Sequence, residues 1–126
     1  MLEDKDAATM IAVKDMARAK SFYEGTLGLK QHMAMGDDLV LYQAGRSMVA
    51  IYPSEFAGSN KATYVSFNVG NDIDSLVRDL KAKGVAFEHY NNLPGLTLEG
   101  DLHVGEGMKA AWFKDPDGNI LNLASM

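Results

Sequence analysis

The sequence predicts an α+β fold in which one β-α-β-β-β unit is used twice. Val13-Lys14-Asp15-Met16, followed by a helical pattern ending in Leu27-Gly28, returns as Val69-Gly70-Asn71-Asp72-Ile73, followed by a pattern ending in Lys83-Gly84. A strand precedes each copy and apolar strands follow each. Repeats of this size are two copies of one supersecondary unit, neither able to bury its apolar face alone. The expectation is one domain over residues 1–126, with module 1 at about 7–53, a linker at about 54–61 and module 2 at about 62–126. A concave seam between packed modules is where a ligand is expected.

Residues 9–13 read as a strand whose two faces are both largely apolar. Asp15 is placed to cap the next helix, because its carboxylate accepts bonds from free backbone N–H groups and suits the helix dipole. Met16, Ala19, Phe22, Tyr23 and Leu27 recur at helical spacing, and Gly28 closes the run as a C-cap glycine. Strands are expected at 31–35 and 39–44 around Gly36-Asp37-Asp38, and at 47–52 after a Gly45-Arg46 turn.

In the second copy, residues 63–69 alternate cleanly, with Val65, Phe67 and Val69 on one face and Tyr64, Ser66 and Asn68 on the other. Asn71 with Asp74 resembles a capping box. Ile73, Leu76, Val77 and Leu80 form the stripe of a helix lying on a core. Residues 86–90 read as a strand, 91–106 as a long irregular insert, and 108–113 and 120–124 as the last two strands. Between those two, Lys114-Asp115-Pro116-Asp117-Gly118-Asn119 is dense in turn formers: Pro fixes φ, Gly permits positive φ, and Asp and Asn bond the backbone.

Composition narrows the function. With no cysteine, disulfides and thiolate metal sites are excluded. A net charge of -5 without a basic cluster argues against nucleic acid as a partner. No segment approaches the ~18 apolar residues of a membrane span. The charged start, Met1-Leu2-Glu3-Asp4-Lys5-Asp6, does not read as a signal peptide, so a cytoplasmic location is expected.

Val13-x-Asp15-Met16-x-x-Ala19-x-x-Phe22-Tyr23, then Leu27-Gly28, then Phe113-x-Asp115-Pro116-Asp117-Gly118-Asn119 form an ordered set. On these residues the chain resembles the vicinal oxygen chelate superfamily, which includes glyoxalase I, extradiol dioxygenases, fosfomycin-resistance enzymes and bleomycin-binding proteins. The resemblance runs from about residue 7 to 124. It implies two β-α-β-β-β modules forming a cup-shaped mixed sheet with helices outside, in a homodimer. It also implies that metal ligands, where a member has them, stand at the positions of Ala8, Ala50, Tyr64 and Asn122. Two methyl groups, a phenol and an amide are a poor set for a divalent ion, which needs imidazole nitrogen or carboxylate oxygen. No metal and no cofactor is expected.

Alternation then suggests the lining of the cup. With Asn122 facing in, Ile120 and Ala124 face in too, while Leu121 and Leu123 face the helices. Ala8, Met10 and Ala12, then Met48, Ala50 and Tyr52, then Tyr64, Ser66 and Asn68 follow by the same logic. Counting back from the turns adds Val40, Tyr42 and Trp112. The candidate ligand-binding residues are therefore Tyr64, Asn122, Trp112, Tyr42, Tyr52, Ser66, Asn68, Met10 and Met48. Aromatics supply area, Met adapts, and Asn or Tyr fix orientation. Trp112, Met10 and Met48 could instead fill the cup as core, and Tyr64 and Asn122 could be a structural hydrogen-bonded pair.

The leading expectation is a metal-free protein that binds a small aromatic or amphipathic molecule, analogous to the drug-sequestering bleomycin-resistance type. The alternative is a glyoxalase-like lyase or isomerase, or a dioxygenase-related enzyme. It would use an unrecognised metal site or metal-independent acid–base chemistry at Tyr64 or His103. His89, His103, Glu99, Asp101 and Glu106 are the residues from which such a site could be built. His32 is a weaker candidate. No catalytic residue is assigned. A third reading is an interaction module with a filled cup.

Overall fold

Each copy of the repeat builds its own sheet. The computed structural model describes residues 1–125, and the chain divides into the units Met1–Asn60 and Lys61–Met126.

In the first unit, β1 (Ala8–Val13) lies parallel to β4 (Ser47–Pro53). β3 (Leu39–Ala44) and β2 (Lys30–Met35) continue the sheet in antiparallel fashion, in the order β1-β4-β3-β2. Parallel neighbours need a crossover, and the helical segment after β1 begins it. Helix α1 (Met16–Lys20) starts where expected: Asp15 is extended, and its carboxylate accepts from the Arg18 N–H at 3.1 Å. The segment does not stay α-helical to Leu27. Ser21–Thr26 winds as a π-turn, the Leu27 N–H donates to the Phe22 carbonyl at 2.9 Å, and Gly28 ends the run at φ +73°. Tyr23 stacks on Tyr42 with ring centroids 6.3 Å apart, so the face of β3 that carries Tyr42 is the helix side.

That placement corrects the expectation for Val40 and Tyr42. Because Gly45-Arg46 is a two-residue turn, Ala44 pairs with Ser47, and Tyr42 and Val40 must oppose Val49 and Ile51. All four are buried core residues. The residues of β3 that share the face of Met48 and Ala50 are Gln43 and Leu41.

The second unit comprises β5 (Thr63–Asn68), a 3-10 turn at Gly70–Asp72, α2 (Ile73–Ala82), β6 (Phe87–Glu88), β7 (Thr97–Glu99), β8 (Leu102–Gly105), β9 (Met108–Lys114) and β10 (Ile120–Ser125). Its sheet runs β5-β10-β9-β8-β7, with β6 also on β9. Ile73, Val77 and Leu80 bury the α2 stripe as predicted. The capping box does not form: Asn71 lies inside the 3-10 turn, and Asp72 starts the helix without a side-chain cap bond. Lys109 reaches Asp74 of α2 at 3.0 Å, which marks the Lys109, Ala111 and Phe113 face of β9 as the helix side. Leu121 and Leu123 lie on that face, opposite Phe113 and Ala111.

The insert at 91–106 is irregular only in its first half. Its second half is the β7–β8 hairpin, and β8 continues the sheet by pairing His103 with Ala110 and Gly105 with Met108. β6 occupies the remaining length of the same β9 edge, at Trp112 and Phe113. β10 holds the opposite edge, so the hairpin satisfies backbone groups that would otherwise be unpaired. Gly105 permits the fold-back: a Cβ there would sit 2.8 Å from the Gly95 carbonyl oxygen. Among the described residues, no helix is long and apolar enough to cross a membrane.

Candidate functional site

The turn that enters β10 fixes the geometry of the second sheet. The buried carboxylate of Asp115 accepts from the backbone N–H groups of Asp117 (2.9 Å) and Asn119 (2.8 Å), and its second oxygen accepts from Asn119 Nδ2 (2.8 Å). Asn119 is wholly buried. A carboxylate holding three donors is a rigid clip, because charge-assisted bonds are the strong ones. It sets the register that brings Asn122 opposite Trp112.

From that register the helix-free face of the second sheet can be read outward. Ser66 pairs with Asn122 and Asn68 with Ala124 in β5 and β10. The register shifts between Ile120 and Leu121, which leaves Tyr64 as the extra residue between Thr63 and Val65. Tyr64 is half-buried, while Ser66 and Asn68 are exposed. The expected sharing of one face by Ser66, Asn68, Asn122 and Trp112 is therefore present in the pairing.

Asn122 itself is spoken for. Its Oδ1 accepts from Ser66 Oγ at 2.5 Å, and its Nδ2 donates to the Ala111 carbonyl at 3.2 Å. It has a structural role, but with Ser66 as its side-chain partner in place of the expected Tyr64, and it ties β5 to β9 through β10. Trp112 is half-buried, and its indole N–H donates to Thr63 Oγ1 at 3.1 Å.

Trp112 belongs to a three-ring cluster that sequence reasoning did not assemble. His103 meets it edge-on at 4.9 Å and 89°, Tyr90 at 5.6 Å and 77°, and Tyr90 lies 5.7 Å from His103. Burial pushes the Tyr90 phenol up from its ordinary value, and the Glu88 carboxylate adds to this, so the hydroxyl stays protonated. His103 is 0% exposed, not part of a solvated loop. Its Nε2 accepts from the Tyr90 N–H at 2.9 Å, which assigns the ring proton to Nδ1. That Nδ1 is buried without a hydrogen-bond partner among the described residues. An unmet buried donor costs about 1–3 kcal/mol. A strand reading of 102–105 would have found this residue, since it sets His103 and Gly105 on one face.

The other insert residues are drawn elsewhere. Asp101 bonds Lys81 at 2.8 Å and His89 at 2.9 Å, and Lys81 followed by His89 holds its carboxyl below the usual range. His89 and His103 thus have separate partners. His32 is exposed on β2.

In the first unit the helix-free face pairs Ala8 with Met48, Met10 with Ala50, and Ala12 with Tyr52. Tyr42 is on the other side, where its hydroxyl donates to Glu24 Oε2 at 2.8 Å. Gln31 and then Tyr42 hold the Glu24 carboxyl below its ordinary value, while burial and that carboxylate push the Tyr42 phenol well up.

Each unit offers little to a divalent ion at the positions that the resemblance implies. Ala8 and Ala50 offer methyl groups, and both polar ends of the Asn122 amide are engaged by Ser66 and Ala111. Among the described residues no three His, Cys, Asp or Glu side chains stand together as a metal site.

Residues 7–123 match the family model described as Glyoxalase/Bleomycin resistance protein/Dioxygenase superfamily. No curated protein matches the chain. Among solved structures, lactoylglutathione lyase from Agrobacterium tumefaciens is similar at a TM-score of 0.72 and 18% identity, covering 99% of this chain and 96% of that one. The fosfomycin resistance protein FosX from Mesorhizobium loti aligns at 0.70 and 16%, over 100% of this chain and 94% of that one. A glyoxalase/bleomycin resistance protein/dioxygenase from Alicyclobacillus acidocaldarius aligns at 0.72 and 18%, over 97% and 91%. At these identities the likeness is one of fold.

Proposed function

The chain belongs to the glyoxalase/bleomycin resistance protein/dioxygenase superfamily, and from that premise we propose that it binds a small aromatic or amphipathic molecule without a metal. The observation that carries this reading is the helix-free face of the second sheet. It sets a half-buried Trp112 beside the polar Ser66 and Asn68, with Asn122 committed to the scaffold. Aromatic area gives such a surface its affinity, and a few neutral hydrogen-bonding groups orient what lies on it. In this reading the activity is binding rather than turnover. The resistance protein among the similar structures makes antibiotics a sensible part of the ligand search. The working unit in this reading is a cytoplasmic homodimer with neither nucleic acid nor membrane as partner.

A thermal-shift screen tests this directly. Aromatic and cationic metabolites and antibiotics are added to chelator-treated protein, with and without divalent ions. The expected result is one class of aromatic compound that raises Tm equally in both conditions, because a ligand that binds only the folded state stabilises it. Ligands that act only when a divalent ion is present, or are returned chemically changed, would overturn it in favour of a lyase or isomerase.

A further inference from the structure

We propose that the Nδ1–H of His103 is the donor that selects the ligand, and that the ligand is a neutral aromatic molecule bearing a carbonyl oxygen. This rests on the reading that the helix-free face of the second sheet binds an organic molecule. His103 lies on that face: it opposes Ala110, two residues from Trp112 on the same strand. Its ring is wholly buried, Nε2 is held by the Tyr90 N–H, and Nδ1 has no partner. Buried polar groups in folded proteins are nearly always paired, so a buried N–H without an acceptor on a ligand-facing surface is a place for the ligand's own acceptor.

Trp112 stands edge-on against the His103 ring at 4.9 Å. One hydrogen bond to the exposed Thr63 holds the indole in place. The indole is half-buried on the same face, so its ring can stack on a flat guest whose acceptor reaches Nδ1. The charge of the guest follows from the neighbours. An imidazole whose Nε2 accepts a bond is neutral. Glu88, the cross-strand neighbour of Trp112, is ion-paired with Lys114 at 3.4 Å. A ligand carboxylate there would lose its hydration without gaining a free cation, whereas a carbonyl needs only the one donor.

Acetophenone and ethylbenzene are a matched pair of probes that differ in the carbonyl. The protein has a single tryptophan, so quenching reports Trp112 alone, and imidazole 15N spectra report the His103 tautomer and its Nδ1 proton. The expected result is acetophenone binding about tenfold tighter than ethylbenzene, the worth of one hydrogen bond, with a shift of the Nδ1 resonance. Two variants separate the ring nitrogens. His103→Asn keeps an amide donor at the Nδ1 position and retains the preference. His103→Gln keeps an acceptor for the Tyr90 N–H, places no donor at the Nδ1 position, and loses the preference.

Equal binding of both probes with Trp112 quenched, an Nε2–H tautomer, or a preference that survives in His103→Gln would overturn the inference and leave the aromatic site standing. A structural water retained on Nδ1 with acetophenone bound would do the same. No quenching by any aromatic compound would overturn both the inference and the site. If a variant fails to fold, the wild-type spectra and the probe pair decide.

Discussion

On the helix-free side of the first sheet, β1 and β4 present Ala8, Met10, Met48, Ala50 and Tyr52, and β3 adds Leu41 and Gln43. The corresponding strands of the second sheet, β5, β10 and β9, present Ser66, Asn68, Asn122 and Trp112, with His103 joining from the hairpin. The strand plan is shared: in both, the first and last strands pair in parallel and the penultimate strand pairs antiparallel with the last. Backbone pairing therefore persists through a repeat while side chains diverge. The first copy's face is mainly Ala, Met and Leu with Gln43 and Tyr52 as its polar groups, and the second's carries more neutral hydrogen-bonding groups and the indole.

The largest expected difference between the copies is in their last turns. Asp115→Ala removes a buried carboxylate that holds three donors, and should cost about 3 kcal/mol in urea unfolding. Arg46→Ala, in the corresponding two-residue turn of the first copy, should stay within about 0.5 kcal/mol because Arg46 is exposed. Equal effects would mean that the two turns carry the same load.

Affinity should divide the faces next. Trp112→Ala should weaken an aromatic ligand about thirtyfold by calorimetry, as the loss of an aromatic anchor does. Met48→Ala should change it less than about threefold. A reversed order would move the site to the first copy.

Tyr42→Phe separates the two faces of one sheet. Loss of the bond to Glu24 should lower stability by about 1 kcal/mol and leave affinity unchanged. A change in affinity would contradict the placement of Tyr42 on the helix side.

The smallest effect is in acid. Glu24 and Asp101 both have carboxyl groups held below the ordinary values of 4.5 and 3.8. A depressed folded-state pKa stabilises the fold at pH values above the unfolded-state value. That contribution is lost as pH falls through the folded-state value, so stability should be flat near pH 6 and fall below about pH 4.5. Glu24→Gln should make that fall shallower in pH-dependent urea titrations, more so than Asp4→Asn at an exposed site.

Much of this plan was legible because its causes are local. Asp15 caps α1 through a bond three residues away, the α2 stripe has helical spacing, and Asp115 bonds groups two and four residues ahead. The side of Tyr42 was legible in principle, since a two-residue turn fixes every pairing that follows it. The π-turn at Ser21–Thr26 left no signal in the spacing of Phe22 and Tyr23. His103 was hidden for a different reason. Its burial depends on the β7–β8 hairpin docking along β9 and on Gly105 admitting the Gly95 carbonyl, contacts that no window around residue 103 contains.

The central claim is that the second sheet binds an aromatic guest with no metal between them. Titrating an aromatic hit from the thermal screen against Trp112 fluorescence, in chelator and then with divalent ion restored, tests it most directly. The account predicts saturable quenching at one guest per chain with the same Kd in both. Quenching that appears only after the ion is restored, or one tightly held divalent ion per chain in protein purified without chelator, would contradict it.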